Sequence, residues 1–154
     1  MPLRACAFLI GGWKMRDTKR EGELAEAAFE YKALKMGLKV LKPHGDSERY
    51  DFVIHNGRKF SRVQVRSTRR MSRPNVYSVA TCFKINHGRG AVQQLPYSEK
   101  EIDYLAAQIV PEDTWYLVPV AALRGRLALL FYAKGHRNPG PDAKFKEAWD
   151  QFVE

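Results

Sequence analysis

Residues 50–67 read YDFVIHNGRKFSRVQVRS, two runs of alternating apolar and polar residues joined at Asn56-Gly57. Few short patterns constrain a fold more tightly. Asn-Gly tolerates the left-handed backbone of a two-residue hairpin turn, and alternation with period two suits a half-buried strand. With a two-residue type I′ loop, His55 pairs with Arg58, Phe52 with Ser61, Asp51 with Arg62 and Tyr50 with Val63. Directly paired residues share a face. Tyr50, Phe52 and Ile54 therefore join Val63 and Val65 on the core side, and Asp51 joins Arg62, Gln64 and Arg66 on the other. Any even loop length preserves this division.

A row of two guanidiniums, an amide and a carboxylate on one strand face calls for an explanation. Gln64 is the diagonal neighbour of Asp51, with Cβ atoms about 7–8 Å apart or somewhat less. Two side-chain oxygens at that spacing can converge on a hard cation that takes oxygen ligands, such as Mg²⁺. The same parity also suits a plain cross-strand ion pair between Asp51 and Arg62, worth roughly 0.2–1 kcal/mol on a solvated face.

The rest of the chain frames this hairpin. DTKREGELAEAAFEYKALKMG predicts a helix with an apolar stripe of Leu24, Ala28, Tyr31 and Leu34 or Lys35, capped by Asp17 or Thr18 and stopped by Gly37. LKVLKP reads as a short strand, NVYSVATCF as another, and KINHGRG as a basic loop after it. Ser98 and Glu101 form a capping box. YLAAQIV and TWYLVPV flank a turn at residues 111–113, RLALLFYA is a further strand, and Phe145, Ala148, Trp149 and Phe152 fall at helical spacing. The order of helix, strand meander and helix gives an α+β or α/β/α layered domain.

At 154 residues the chain is one domain by length. It carries 26 Lys+Arg against 17 Asp+Glu, a net charge of +9, which suits a polyanionic partner such as nucleic acid. Between Arg58 and Arg73 stand seven basic residues (Arg58, Lys59, Arg62, Arg66, Arg69, Arg70, Arg73) and no acidic one. Such a run is either a solvated surface or a path for a phosphate backbone; Lys84 and Arg89 of the second basic loop extend it. Two cysteines, Cys6 and Cys82, make neither a disulfide framework nor a metal knuckle, which points to a reduced, intracellular setting. No stretch reaches the 18 or so apolar residues of a membrane helix. Residues 1–14 read as a loose arm or as the product of an upstream start, and 15–154 as the folded domain.

Three segments together carry a resemblance: GELAE at 22–26, RYDFVIHNGRKFSRVQVRST at 49–68 and DYLAAQIVPEDTWYLVPV at 103–120. In their order and spacing they resemble the PD-(D/E)XK nuclease superfamily, and within it the group I intron-associated endonucleases and archaeal Holliday-junction-resolvase-like proteins. The resemblance implies a restriction-endonuclease-like α/β/α fold with a mixed central sheet of about five strands. It implies divalent-metal-dependent hydrolysis of DNA, with Mg²⁺ or Mn²⁺ as cofactor, double-stranded DNA as partner and a homodimer or higher oligomer. It makes Asp51 the metal-binding aspartate, Gln64 the occupant of the second acidic position, Glu23 the helix acid and Arg66 the occupant of the lysine position, with Glu26 left as a solvated helix residue. Arginine supplies positive charge and bidentate hydrogen bonds but no general base; Lys42 is a substitute cation on the neighbouring strand. His44 and His55 lack ligand spacing. Two further readings stand beside this one: a nuclease fold kept for DNA binding without cleavage, and an unrelated basic α+β binding module.

Overall fold

The computed structural model describes residues 18–153. Asp17, Cys6 and the proposed N-terminal arm lie outside them.

Helix α1 (Thr18–Lys35) buries Ala25, Phe29 and Ala33, one residue every four. The small Ala25 and Ala33 let the helix approach the sheet, and Phe29 fills the space between them. The buried stripe is therefore rotated from the expected one. Leu24, Tyr31 and Leu34 are 51%, 69% and 54% exposed, and only Ala28 of that set packs against the core. Gly37 ends the helix with φ of 79°, and the Leu38 N–H closes back onto the Ala33 carbonyl at 3.1 Å.

The central sheet has the strand order β1-β2-β3-β8-β9, in which β1 is Lys39–Leu41, β2 Phe52–His55, β3 Phe60–Thr68, β8 Tyr104–Ile109 and β9 Thr114–Pro119. All neighbours are antiparallel except β3 and β8, which run parallel. This is the mixed five-stranded sheet the sequence leads one to expect. One face packs on α1: Phe52, Ile54, Val63 and Val65 meet Phe29, Trp115 and Trp149, with Phe29 and Phe52 ring centroids 5.5 Å apart. The other face is covered by a small sheet of β4 (Met71–Arg73), β5 (Val76–Ala80) and β10 (Ala128–Tyr132) and by the short helix α2 (Val120–Leu123). Tyr116 on β9 stacks on Phe131 of β10 at 4.0 Å.

The fold departs from the expected elements in four places. The hairpin loop has four residues, 56–59, so that Phe52 pairs with Val63 and His55 with Phe60. Asn56 closes it by accepting the N–H groups of Arg58 and Lys59 on its Oδ1, an interaction the two-residue turn does not allow. Tyr50, expected beside Phe52, packs on the opposite side of the sheet against the second core. The strand read in NVYSVATCF breaks at Thr81 into β5 and β6 (Cys82–Asn86), and the basic loop after it is the end of a ribbon formed by β6 with β7 (Val92–Pro96). At the C-terminus, two 3-10 turns, Ala143–Phe145 and Trp149–Phe152, replace the expected helix while still burying Phe145, Trp149 and Phe152. Glu147 separates them at φ of 50°, held by hydrogen bonds from the Trp115 N–H and the Trp149 indole.

Candidate active site

The loop of four residues shifts the register by an even step, so residues 52–55 and 60–63 keep their expected faces. Asp51 lies one residue before that pairing, and its N–H bonds the Val63 carbonyl at 2.9 Å. Here β2 has not yet begun while β3 runs on to pair with β8, leaving a fork in the sheet. Asp51 fills it. Its Oδ2 accepts the Val65 N–H and the Gln64 Nε2, each at 2.7 Å. Gln64 is buried, and its Nε2 also donates to the Val65 carbonyl, which leaves its amide oxygen as an acceptor.

Burial raises the Asp51 carboxyl from its ordinary 3.8 to about 6, against the lowering effect of the Val65 N–H. The negative charge of Glu26 pushes the same way, and Arg66 and Lys42 oppose it. A partly buried carboxylate beside a second one holds a proton, or a cation, more readily than a solvated carboxylate does.

Asp51 opens onto a cleft of about 540 Å³ lined by α1 and by the loop between β1 and β2. Glu23 and Glu26 reach it from the helix one turn apart, and Lys42, Asp46 and Glu48 from the loop. Glu23 and Asp51 thus share one cavity. Glu26, read as a solvated helix residue, is the helix acid whose charge acts on Asp51, and its Oε2 accepts a hydrogen bond from Lys42 Nζ at 2.8 Å. Lys42 stands within this pair, its ammonium stabilised by the Glu26 contact.

Arg66 lies on the sheet face away from α1. Its Nη2 donates to the Tyr97 hydroxyl at 2.6 Å and to the Cys82 carbonyl at 3.4 Å. Its Nε is buried without a partner, the one such side-chain atom among the described residues. Tyr97 stands 31 positions downstream and carries no motif; nothing in the sequence marks it as a neighbour of the site. Cys82 is buried and free.

The basic residues divide. Arg58, Lys59, Arg69, Arg70, Arg73, Lys84 and Arg89 are exposed. Arg69 lies 3.8 Å from Glu21 at the start of α1. Arg62, expected among the DNA contacts, is held by its own protein. Its fork meets both Asp103 oxygens at 3.1 Å, and its remaining donors bond the Glu99 and Lys100 carbonyls. Asp103 also accepts the Arg62 backbone N–H at 2.7 Å. Burial works against the ionised Asp103, but these donors outweigh it and hold its carboxyl below the ordinary value.

The donor set around Asp51 is made of oxygen only: two or three carboxylates and an amide. That chemistry fits a hard divalent cation. Among the described residues no three His, Cys, Asp or Glu are grouped so that they could hold a metal ion by themselves, so water or substrate oxygens would complete the shell.

A family model described as PD-(D/E)XK endonuclease matches residues 16–151. A solved bacterial homing endonuclease, I-Ssp6803I, superposes with a TM-score of 0.80 at 27% identity, over 89% of this chain and 93% of that one. No curated protein matches. Family match and shared fold agree with the geometry of the fork: the chain belongs to the PD-(D/E)XK endonuclease family.

Proposed function

We propose that this protein is a divalent-metal-dependent endonuclease that cuts double-stranded DNA at the Asp51 fork. The observation that carries the reading is the shared cleft, lined by the half-buried Asp51 and by the helix glutamates Glu23 and Glu26, with Gln64 hydrogen-bonded to Asp51 beside it. Asp51, Gln64 and a carboxylate of α1, Glu23 or Glu26, would hold Mg²⁺ or Mn²⁺. A cation there supplies Lewis-acid charge at the phosphate and a more acidic water.

The chain's own residues do the rest. The Val65 N–H and Gln64 amide both hold Asp51 Oδ2, which leaves Oδ1 for a cation. Arg66 adds positive charge behind the fork and, permanently protonated, cannot take a proton from water. Lys42 brings a second cation to the cleft side. Arg58, Lys59, Arg69, Arg70, Arg73, Lys84 and Arg89 supply DNA contacts, of which those to phosphates set affinity without reading sequence. A duplex has two strands to cut, and a homodimer or higher symmetric oligomer offers one fork to each.

Conversion of supercoiled plasmid to nicked and linear forms tests this. The expected result is cleavage with Mg²⁺ and none with excess chelator. DNA retention with no cleavage under either divalent ion would favour the second reading, a nuclease fold kept for binding, which the arginine at position 66 motivates.

A further inference from the structure

Among the described residues, strands β6 and β7 pair only with each other and leave the body of the protein as a two-stranded ribbon. Each has five residues, about 17 Å of strand at roughly 3.4 Å per residue. A lone ribbon is marginal in water, so what fastens this one matters. Its inner face sets Phe83, Ile85 and Leu95 against the protein, with the Phe83 ring 5.5 Å from Tyr97 and the Arg49 guanidinium 3.9 Å above it. Arg66 then ties both ends of the base, through the Cys82 carbonyl at the start of β6 and the Tyr97 hydroxyl just past β7. The ribbon therefore springs from residues that flank the fork, Arg49 on the approach to Asp51 and Arg66 two positions after Gln64.

Past Cys82, whose thiol reaches the Gln94 amide oxygen at 3.9 Å, the outer face is exposed among the described residues. Lys84 pairs with Gln94 and Asn86 with Val92 across the strands, and all four are exposed. Residues 82–96 carry Lys84, His87 and Arg89 and no acidic side chain. The tip is ordered by bonds of its own, with the Asn86 side chain accepting the Gly88 N–H and the His87 ring bonded to Gln93 at 2.9 Å. A positively charged ribbon of this width fits the major groove, which is about 12 Å wide and admits two paired strands. Lysine and glutamine are the side chains that pair with guanine and adenine edges there, and a valine suits a thymine methyl.

We propose that the β6–β7 ribbon is the sequence-reading element, entering the major groove beside the cut with Lys84 and Gln94 on base edges. The inference rests on the DNA-cleaving reading above. It goes beyond phosphate contact, because a neutral Gln94 releases no counterion from a phosphate backbone and contributes through the edge it hydrogen-bonds.

The test is selection from a pool of random-sequence duplexes by the full-length protein and its Gln94→Ala and Lys84→Ala variants, with Ca²⁺ in place of Mg²⁺ to prevent cleavage. Thermal melts confirm that the variants fold, both sites being exposed. The wild type is expected to enrich a motif, and each variant to lose about 5- to 150-fold of preference at one or two of its base pairs while the rest of the motif persists. Enrichment of the same motif at equal strength by both variants, or no motif from a wild type that binds DNA in a salt-dependent way, overturns the ribbon's role and leaves the nuclease reading standing. No DNA retention by the wild type overturns both.

Discussion

Asp51 and Gln64 are joined by a 2.7 Å hydrogen bond from the amide nitrogen to the carboxylate, just beyond the paired part of the hairpin. That bond holds an aspartate in place at a site where burial disfavours its charge. The strain is electrostatic, and it has measurable consequences for stability, pH dependence and catalysis.

Removing the charge should stabilise the fold. The folded value of about 6 lies above the unfolded 3.8, so stability is complete below about pH 4 and falls as pH rises through 6. A difference of that size between the folded and unfolded chain is worth at most roughly 3 kcal/mol. Asp51→Asn, which keeps an acceptor for the Val65 N–H, should therefore gain about 1–3 kcal/mol at pH 8, roughly 2–10 °C in melting temperature. At pH 4 the gain should vanish. Melts of both proteins at the two pH values check this.

The same carboxylate should govern the pH profile of cleavage. Below about pH 6 a proton competes with the cation for Asp51, so the log of the rate should rise with unit slope and then level off above 6. Higher Mg²⁺ should move the midpoint down. In the metal-free protein, Glu26→Gln removes a charge that helps to raise Asp51 and should lower its titration midpoint, whereas Glu23→Gln should leave it in place. Carboxyl carbon NMR from pH 4 to 8 without metal separates the two glutamates, and initial rates from pH 5 to 8 check the profile of cleavage.

Arg62 should prove to be a tie within the protein. Arg62→Ala strands Asp103, which is partly buried and loses its side-chain donors, and should cost about 1–3 kcal/mol. Asp103 contributes stability above its unfolded pKa that is lost as pH falls through its depressed folded value. In the variant that depression is reduced, so the difference from wild type should be full at pH 7 and shrink toward pH 3. Denaturant titrations at these pH values measure it.

The exposed arginines should act through phosphates. Arg70→Ala and Arg73→Ala should each flatten the slope of log affinity against log salt by about 0.9, across unrelated duplex sequences alike. Arg62→Ala should leave that slope unchanged. Filter binding between 50 and 200 mM salt provides the comparison.

Much of the site is legible in the sequence because its logic is parity. The expected faces depend only on an even loop, and the step from two to four residues keeps them for residues 52–55 and 60–63, whereas Tyr50, beyond that pairing, turns to the other side. The turn itself differs because Asn56 uses its side chain to close a wider loop, a choice that dipeptide preference does not register. The face of α1 differs for another reason. Hydrophobicity favours Leu24, Tyr31 and Leu34, whereas close approach to a sheet favours Ala25 and Ala33 around Phe29. That rotation is also why Glu26 acts on Asp51. Tyr97 and the ribbon could not be foreseen, since their relation to Arg66 arises from packing between segments distant in sequence.

The most direct measurement is plasmid cleavage at pH 8 with saturating Mg²⁺ by the wild type and by Asp51→Asn. A catalytic Asp51 requires Mg²⁺-dependent nicking by the wild type and a loss of at least about 100-fold in the variant, the scale on which a single group that stabilises transition-state charge acts. The variant should meanwhile melt no lower than its parent. Equal cleavage by the two proteins would contradict a role for this carboxylate in the chemistry.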